Sequence, residues 1–143
     1  MKNLKIQRAI AIIGIVLGAV FVVSGATTYL MVQSKLKAEN ITVSADAARY
    51  AGKPVAGPFT AYEEAAVIAK HSLEATGGKT YAQLDREDPL RVVAMNGSFL
   101  RASLFTSVVS FGLAAFVAGV GVMFILFGWL ILGLETREIA RRK

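Results

Sequence analysis

The sequence contains no cysteine. That excludes disulfides, thiolate metal sites, cysteine nucleophiles and attachment of a lipid through a thiol. Histidine is nearly absent too, with His71 alone, whereas a histidine metal site normally recruits a second histidine or cysteines. No glycine-rich phosphate loop and no nucleophile motif occurs. The most consequential absence is of charge. Ala9–Val32 and Ala102–Leu134 contain no Asp, Glu, Lys, Arg or His.

These two uncharged runs are also strongly apolar, and each is long enough to cross a bilayer as a helix. At 1.5 Å per residue they measure about 36 Å and about 50 Å, against a hydrocarbon core of roughly 30 Å. The first fits with modest tilt. The second is too long for hydrocarbon alone and must tilt, kink or project beyond the membrane. The expected fold is therefore an all-α integral membrane protein. It is a two-helix transmembrane hairpin with a second helix extended outside the bilayer and a small helical extracytoplasmic loop domain. The expected organisation is 1–8 as a cytoplasmic N-terminus, 9–32 as the first span, 33–101 as the loop domain, 102–134 as the second span and 135–143 as a cytoplasmic C-terminus.

Orientation follows from the flanks. Lys2, Lys5 and Arg8 precede the first span without an acid, and Arg137, Arg141, Arg142 and Lys143 follow the second against Glu135 and Glu138. Cations next to a span resist translocation, so both termini are expected in the cytoplasm of a plasma membrane. Residues 33–101 carry nine basic and eight acidic residues, a near balance that suits the outer side. Lys35, Lys37 and Arg101, close to the spans, work against this orientation. The formal net charge of +6 arises mostly at the two ends and matches topology and anionic lipid; nothing in it calls for nucleic acid. The N-terminus resembles a secretory signal, with Ser24 and Ala26 at a cleavage-like spacing. Its apolar stretch exceeds the usual 7–15 residues, which favours an uncleaved anchor over cleavage.

The loop domain, at 69 residues, falls where an independent core is marginal. Helix 1 is expected to continue through Lys35–Asn40. Ile41–Val43 reads as a short β-like patch, Ser44 or Asp46 as the cap of a helical turn reaching Tyr50, and Gly52–Pro58 as a connector. Thr60 and Glu63 form a Thr-x-x-Glu capping box for a helix over Ala61–Ala75 with Tyr62, Ala66, Ala69 and Leu73 on one face, closed by Gly77-Gly78. Thr80 caps a further segment, Tyr81–Arg86. Asp88-Pro89 starts the second long helix, with Leu90, Val93, Gly97, Leu100, Leu104 and Phe111 on one stripe, and Asn96-Gly97 marks a possible break.

Within the spans, Gly14 and Gly18 form Gly-x-x-x-Gly, and Ala115 and Gly119 a similar pair. Small residues let helix backbones approach, so these four are the candidate helix-packing residues. Trp129 and Tyr29 sit where aromatic belts form. Candidate chemistry is sparse. His71 with Glu63 or Glu74 could hold a metal weakly, but a solvated histidine explains it as well. Glu63 and Glu64, as helix neighbours, point in different directions. Asp85-Arg86-Glu87-Asp88 favours the start of a helix through its dipole and is a weak Ca²⁺ candidate. No catalytic residue, cofactor or resident metal is expected. Polar residues of the spans, including Ser24, Thr27, Thr28, Ser103, Thr106, Ser107 and Ser110, cluster toward the outer half.

Several loop segments resemble a group of small actinobacterial membrane proteins: Lys37–Val43, Ala51–Tyr62, Ala75–Tyr81 and Ser98–Phe105. The resemblance covers roughly residues 35–109 and continues loosely through the second span. It implies an actinobacterial plasma membrane and the same hairpin layout. The group is often called an aromatic ring-opening dioxygenase small subunit. Iron of that type is held by two histidines and a carboxylate, and one chain with one histidine cannot supply that set. The resemblance therefore implies no activity. The expected function is a non-enzymatic structural or accessory subunit of a membrane assembly, in contact with the lipid bilayer and with copies of itself or a larger complex. An oligomeric channel is the alternative, and a metal-binding or enzymatic loop domain a minor one.

Overall fold

A computed structural model describes residues 2–141, with side chains described for residues 4–134. The element order is α1 (Lys2–Ala38), α2 (Pro58–Ala75), a 3₁₀ turn (Tyr81–Gln83) and α3 (Leu90–Arg141). No strand occurs among the described residues. Two helices are long and apolar enough to cross a membrane, over Leu4–Ala38 and Leu90–Leu134. The basic ends read from Lys2, Arg137, Arg141, Arg142 and Lys143 lie outside the described side chains.

The chain divides into two compact units. The first joins Met1–Tyr29 to Leu113–Lys143, and the second is Leu30–Gly112. In the first unit, α1 and α3 run antiparallel, because Ala11 meets Gly128, Gly18 meets Gly121 and Gly25 meets Ala114. Phe21 and Phe124 flank this contact edge to face, with ring centroids 6.1 Å apart. Such T-shaped pairs set the positive ring edge against the negative face.

The second unit is built on non-local hydrogen bonds. α1 ends where the Asn40 N–H reaches the Lys37 carbonyl and Asn40 turns left-handed at φ 53°, a conformation asparagine tolerates at a helix C-terminus. The loop then folds back on itself. Thr42 and Pro54 form an isolated antiparallel bridge, the Val43 and Val55 N–H groups donate to Lys53 and Ile41 carbonyls, and both valines are fully buried. The helical turn expected over 44–50 does not form. Ser44 and Asp46 give their side chains to α2 instead, and Tyr50 adopts a left-handed φ of 59° that no helix accommodates.

α2 starts earlier than the Thr60/Glu63 box implies. Gly57 is the N-cap and Pro58 the first helical residue, where a missing N–H costs nothing. Thr60 is the third helical residue, and its hydroxyl folds back to accept from the Ala56 and Gly57 N–H groups. Glu63 is not part of the box; it accepts from the Arg49 N–H. Thr60→Ala should therefore cost about 1 kcal/mol, read as faster amide exchange at Ala56 and Gly57. The C-terminus falls at Ala75, and Gly77 and Gly78 both have positive φ. The Gly78 N–H closes the helix onto the Leu73 carbonyl.

The face of α2 that carries Tyr62, Ala66 and Leu73 is not its buried face. Ala61, Glu64, Ala65 and Val67 point inward, while Tyr62, Ala66 and Leu73 are exposed. Small residues on the inner face let the folded loop approach the helix closely. Helical structure after Thr80 stops at Gln83 rather than Arg86. α3 starts at Leu90, capped by the Asp88 carboxylate, which accepts from the Leu90 N–H at 2.8 Å. It runs unbroken through Asn96-Gly97. Gly97 is a contact point rather than a break: a β-carbon there would fall on the Ser72 side chain, 2.6 Å from its Cβ. Of the expected stripe, Leu104 and Phe111 are buried, but Leu90, Val93 and Leu100 are exposed, and Ala94 takes their place inside.

Candidate functional site

The first candidate is the seam of the hairpin unit. A β-carbon on Gly18 would lie 2.5 Å from the Gly121 carbonyl oxygen, and one on Gly25 2.6 Å from that of Ala114. One on Gly121 would lie 2.6 Å from the Gly18 carbonyl oxygen, and one on Gly128 2.7 Å from that of Ala11. The two helices thus meet backbone against backbone at each of these points. The spacing explains why. Ala11, Gly18 and Gly25 are seven residues apart, as are Ala114, Gly121 and Gly128. Seven residues are nearly two helical turns, so each set forms one stripe along its helix.

The four residues singled out by four-residue spacing occupy different places. Gly18 is in the seam. A β-carbon on Gly14 would reach the Phe124 carbonyl oxygen only at 3.8 Å, an ordinary contact, and one on Gly119 would meet nothing within 4 Å. Ala115 is exposed. The seven-residue repeat was the available signal for Gly25, Ala114, Gly121 and Gly128.

The second candidate lies in the Leu30–Gly112 unit. Glu64 is the buried carboxylate of α2, 7% exposed. Its Oε2 accepts from the Ser44 N–H at 2.7 Å and its Oε1 from the Ser44 hydroxyl at 3.0 Å. A carboxylate gains more from such donors than a neutral acceptor does, which offsets part of the cost of removing it from water. Glu64 also lines a groove of about 770 Å³ whose walls include Leu36, Ile41, Ile68, Leu100 and Leu104.

His71 does not meet Glu63 or Glu74 as a ligand pair. Its Nε2 lies 2.8 Å from Asp46 Oδ2, and Lys70 Nζ is 3.2 Å from the same oxygen. The hydrogen bond from His71, then that from Lys70, holds the Asp46 carboxyl below its usual value of 3.8. The pairing therefore favours ionised Asp46. Its contribution is complete above the ordinary carboxylate range and is lost as pH falls through the lowered value. Acidification below about 3.8 should loosen residues 44–50 from α2, seen as local amide exchange. The effect will be small, because all three side chains are about half exposed.

Asp88 is occupied by its capping bond to α3. No group of three or more His, Cys, Asp or Glu residues is gathered as a metal site among the described residues. Arg91 fastens the 3₁₀ turn to α3: its Nη1 donates to the Leu84 carbonyl at 2.7 Å, and its guanidinium lies 4.0 Å from the centre of the Tyr81 ring. No family model matches this sequence, no curated protein is similar to it, and no solved structure matches its fold.

Proposed function

We propose that this chain is a two-pass plasma-membrane protein, with both termini cytoplasmic and residues 33–101 outside, that serves as a structural or accessory subunit of a membrane assembly. One observation carries the reading: among the described residues of the hairpin unit, the close backbone contacts fall at small residues, while many large apolar side chains are left uncovered. Ile10, Ile13, Val20, Phe116, Leu126 and Trp129 are all largely exposed, and only 17% and 11% of the two apolar windows are buried. A core helix of a water-soluble domain would be mostly covered, and a soluble monomer rarely leaves so much apolar surface in water. In lipid the same surface is satisfied, and helices associate through close backbone approach because burying apolar side chains gains little.

The hydroxyls of α3 agree with this. Thr106, Ser107 and Ser110 donate to the carbonyls of Ala102, Ser103 and Thr106, one turn back. A hydroxyl bonded to its own helix requires no water partner. An accessory role rests on the hairpin layout and on side chains that are engaged in holding the fold. The test is the mass and composition of the gently extracted native particle, purified through a C-terminal tag. A defined homo-oligomer or a stoichiometric larger complex supports the proposal. A monodisperse monomer without partners contradicts it. A homo-oligomer that conducts ions after reconstitution would replace the accessory reading with a channel.

A further inference from the structure

The large and small residues of α2 are arranged inside out. Ala61 and Ala65 are wholly buried, while Phe59 is 73% exposed and Tyr62 54% exposed. A helix capping a domain in water would place its aromatic residues inward, since each buries more apolar area than alanine. Here they gather on the outer side with Tyr50, and a shallow depression of about 530 Å³ lies among Tyr50, Phe59, Tyr62 and Val108. Tyr62 packs edge-on to Phe105, with centroids 5.8 Å apart. Phe105 and Val108 belong to the uncharged run 102–134. The aromatic patch is therefore continuous with α3 residues that the membrane reading puts at the outer end of the second span.

Charge completes the pattern. Arg49 borders the depression, and Lys53 Nζ lies 5.6 Å from the centre of the Tyr50 ring. The acid on this face, Glu63, is engaged by the Arg49 N–H. Aromatic rings with polar tips settle at the boundary between acyl chains and head groups, and cations beside them complement lipid phosphate. A protein partner would not require continuity with a hydrocarbon-facing helix.

We infer that the face formed by Tyr50, Phe59 and Tyr62 docks on the outer leaflet, with the rings at the acyl–head-group boundary and Arg49 and Lys53 toward lipid phosphates. The loop domain would then be anchored in the membrane interface rather than held clear of it. This rests on the membrane reading above, and one experiment separates the two. Trp129 is the only tryptophan, so it reports on the span. The double variant Phe59→Trp/Trp129→Phe reports on the patch.

Both proteins are reconstituted in phosphatidylcholine/phosphatidylglycerol vesicles, with and without lipids brominated near the head-group end of the acyl chains, and in a series brominated deeper. The tryptophan at position 59 is expected to emit blue of its value in water and to be quenched most by the shallow bromines. Tyr62→Trp in the Trp129→Phe background should behave alike, which guards against a local disturbance at position 59. Water-like, unquenched emission at both positions, with Trp129 of the wild type quenched, overturns the docking and leaves the membrane reading intact. An unquenched Trp129 overturns the membrane reading and the docking with it.

Discussion

Gly121→Val is expected to unfasten the hairpin, lowering the stability of the helix pair by about 3 kcal/mol or more. A β-carbon at this position meets the Gly18 carbonyl oxygen at 2.6 Å and the Val22 nitrogen at 2.8 Å. Both are backbone atoms, so no rotamer change relieves the overlap, and the helices must separate along the seam. Overpacking usually costs roughly 1–3 kcal/mol even where side chains can adjust. Separation here also forfeits the neighbouring contacts at Gly25 and Gly128, which belong to the same seam. Gly18→Val should act alike. Gly119→Ala is the matched control. Its β-carbon meets nothing within 4 Å, and replacing a helix-interior glycine gains up to about 1 kcal/mol of propensity. Unfolding in detergent should place Gly119→Ala at or above wild type and Gly121→Val well below it. Equal stability of the two would show that backbone contact at Gly121 does not hold the helices together.

Glu64→Ala is expected to release the 41–55 loop from α2. The change leaves the Ser44 N–H, and its hydroxyl, without their acceptor in a site that is only partly open to water. Leaving buried donors unpaired costs about 1–3 kcal/mol, and more where the lost partner was charged. Glu64→Gln should cost less, because its remaining carbonyl can still accept one bond. Chemical denaturation, combined with Ser44→Ala in a double-mutant cycle, isolates the coupling. Amide exchange at Val43 and Ser44 should rise with Glu64→Ala. Unchanged exchange there would mean that the carboxylate merely accompanies a loop held by its valines.

Both sites illustrate how far the sequence can be read. The long helices are legible because an uncharged run of 24 or 33 residues has few physical uses. The end of α2 and the start of α3 are legible because Gly77, Gly78 and Asp88 act within one or two residues of where they stand. The seam was readable in principle, through small residues repeating every seven positions. A four-residue spacing points to Gly14, Gly18, Ala115 and Gly119, whereas the close contacts between the described helices fall at Gly18, Gly25, Gly121 and Gly128, because a helix pair in long contact repeats on two turns rather than one. The loop was not readable. Ser44 and Glu64 are 20 positions apart and Asp46 and His71 25, and a serine or aspartate that finds a distant partner no longer caps a local helix. The inner face of α2 was not readable for the same reason: periodicity places Tyr62 and Leu73 on one face without saying which face is covered, and the unit is closed by alanines against a folded loop.

The proposed arrangement of the chain across a membrane is tested most directly by cysteine labelling, which the cysteine-free sequence makes clean. Lys5→Cys, Lys79→Cys and Lys143→Cys are made singly and exposed in intact cells to a membrane-impermeant maleimide. Labelling of position 79 in intact cells, with positions 5 and 143 labelled only after permeabilisation, is the predicted result. Labelling of position 5 or 143 in intact cells, or protection of position 79, would contradict a hairpin with its loop outside.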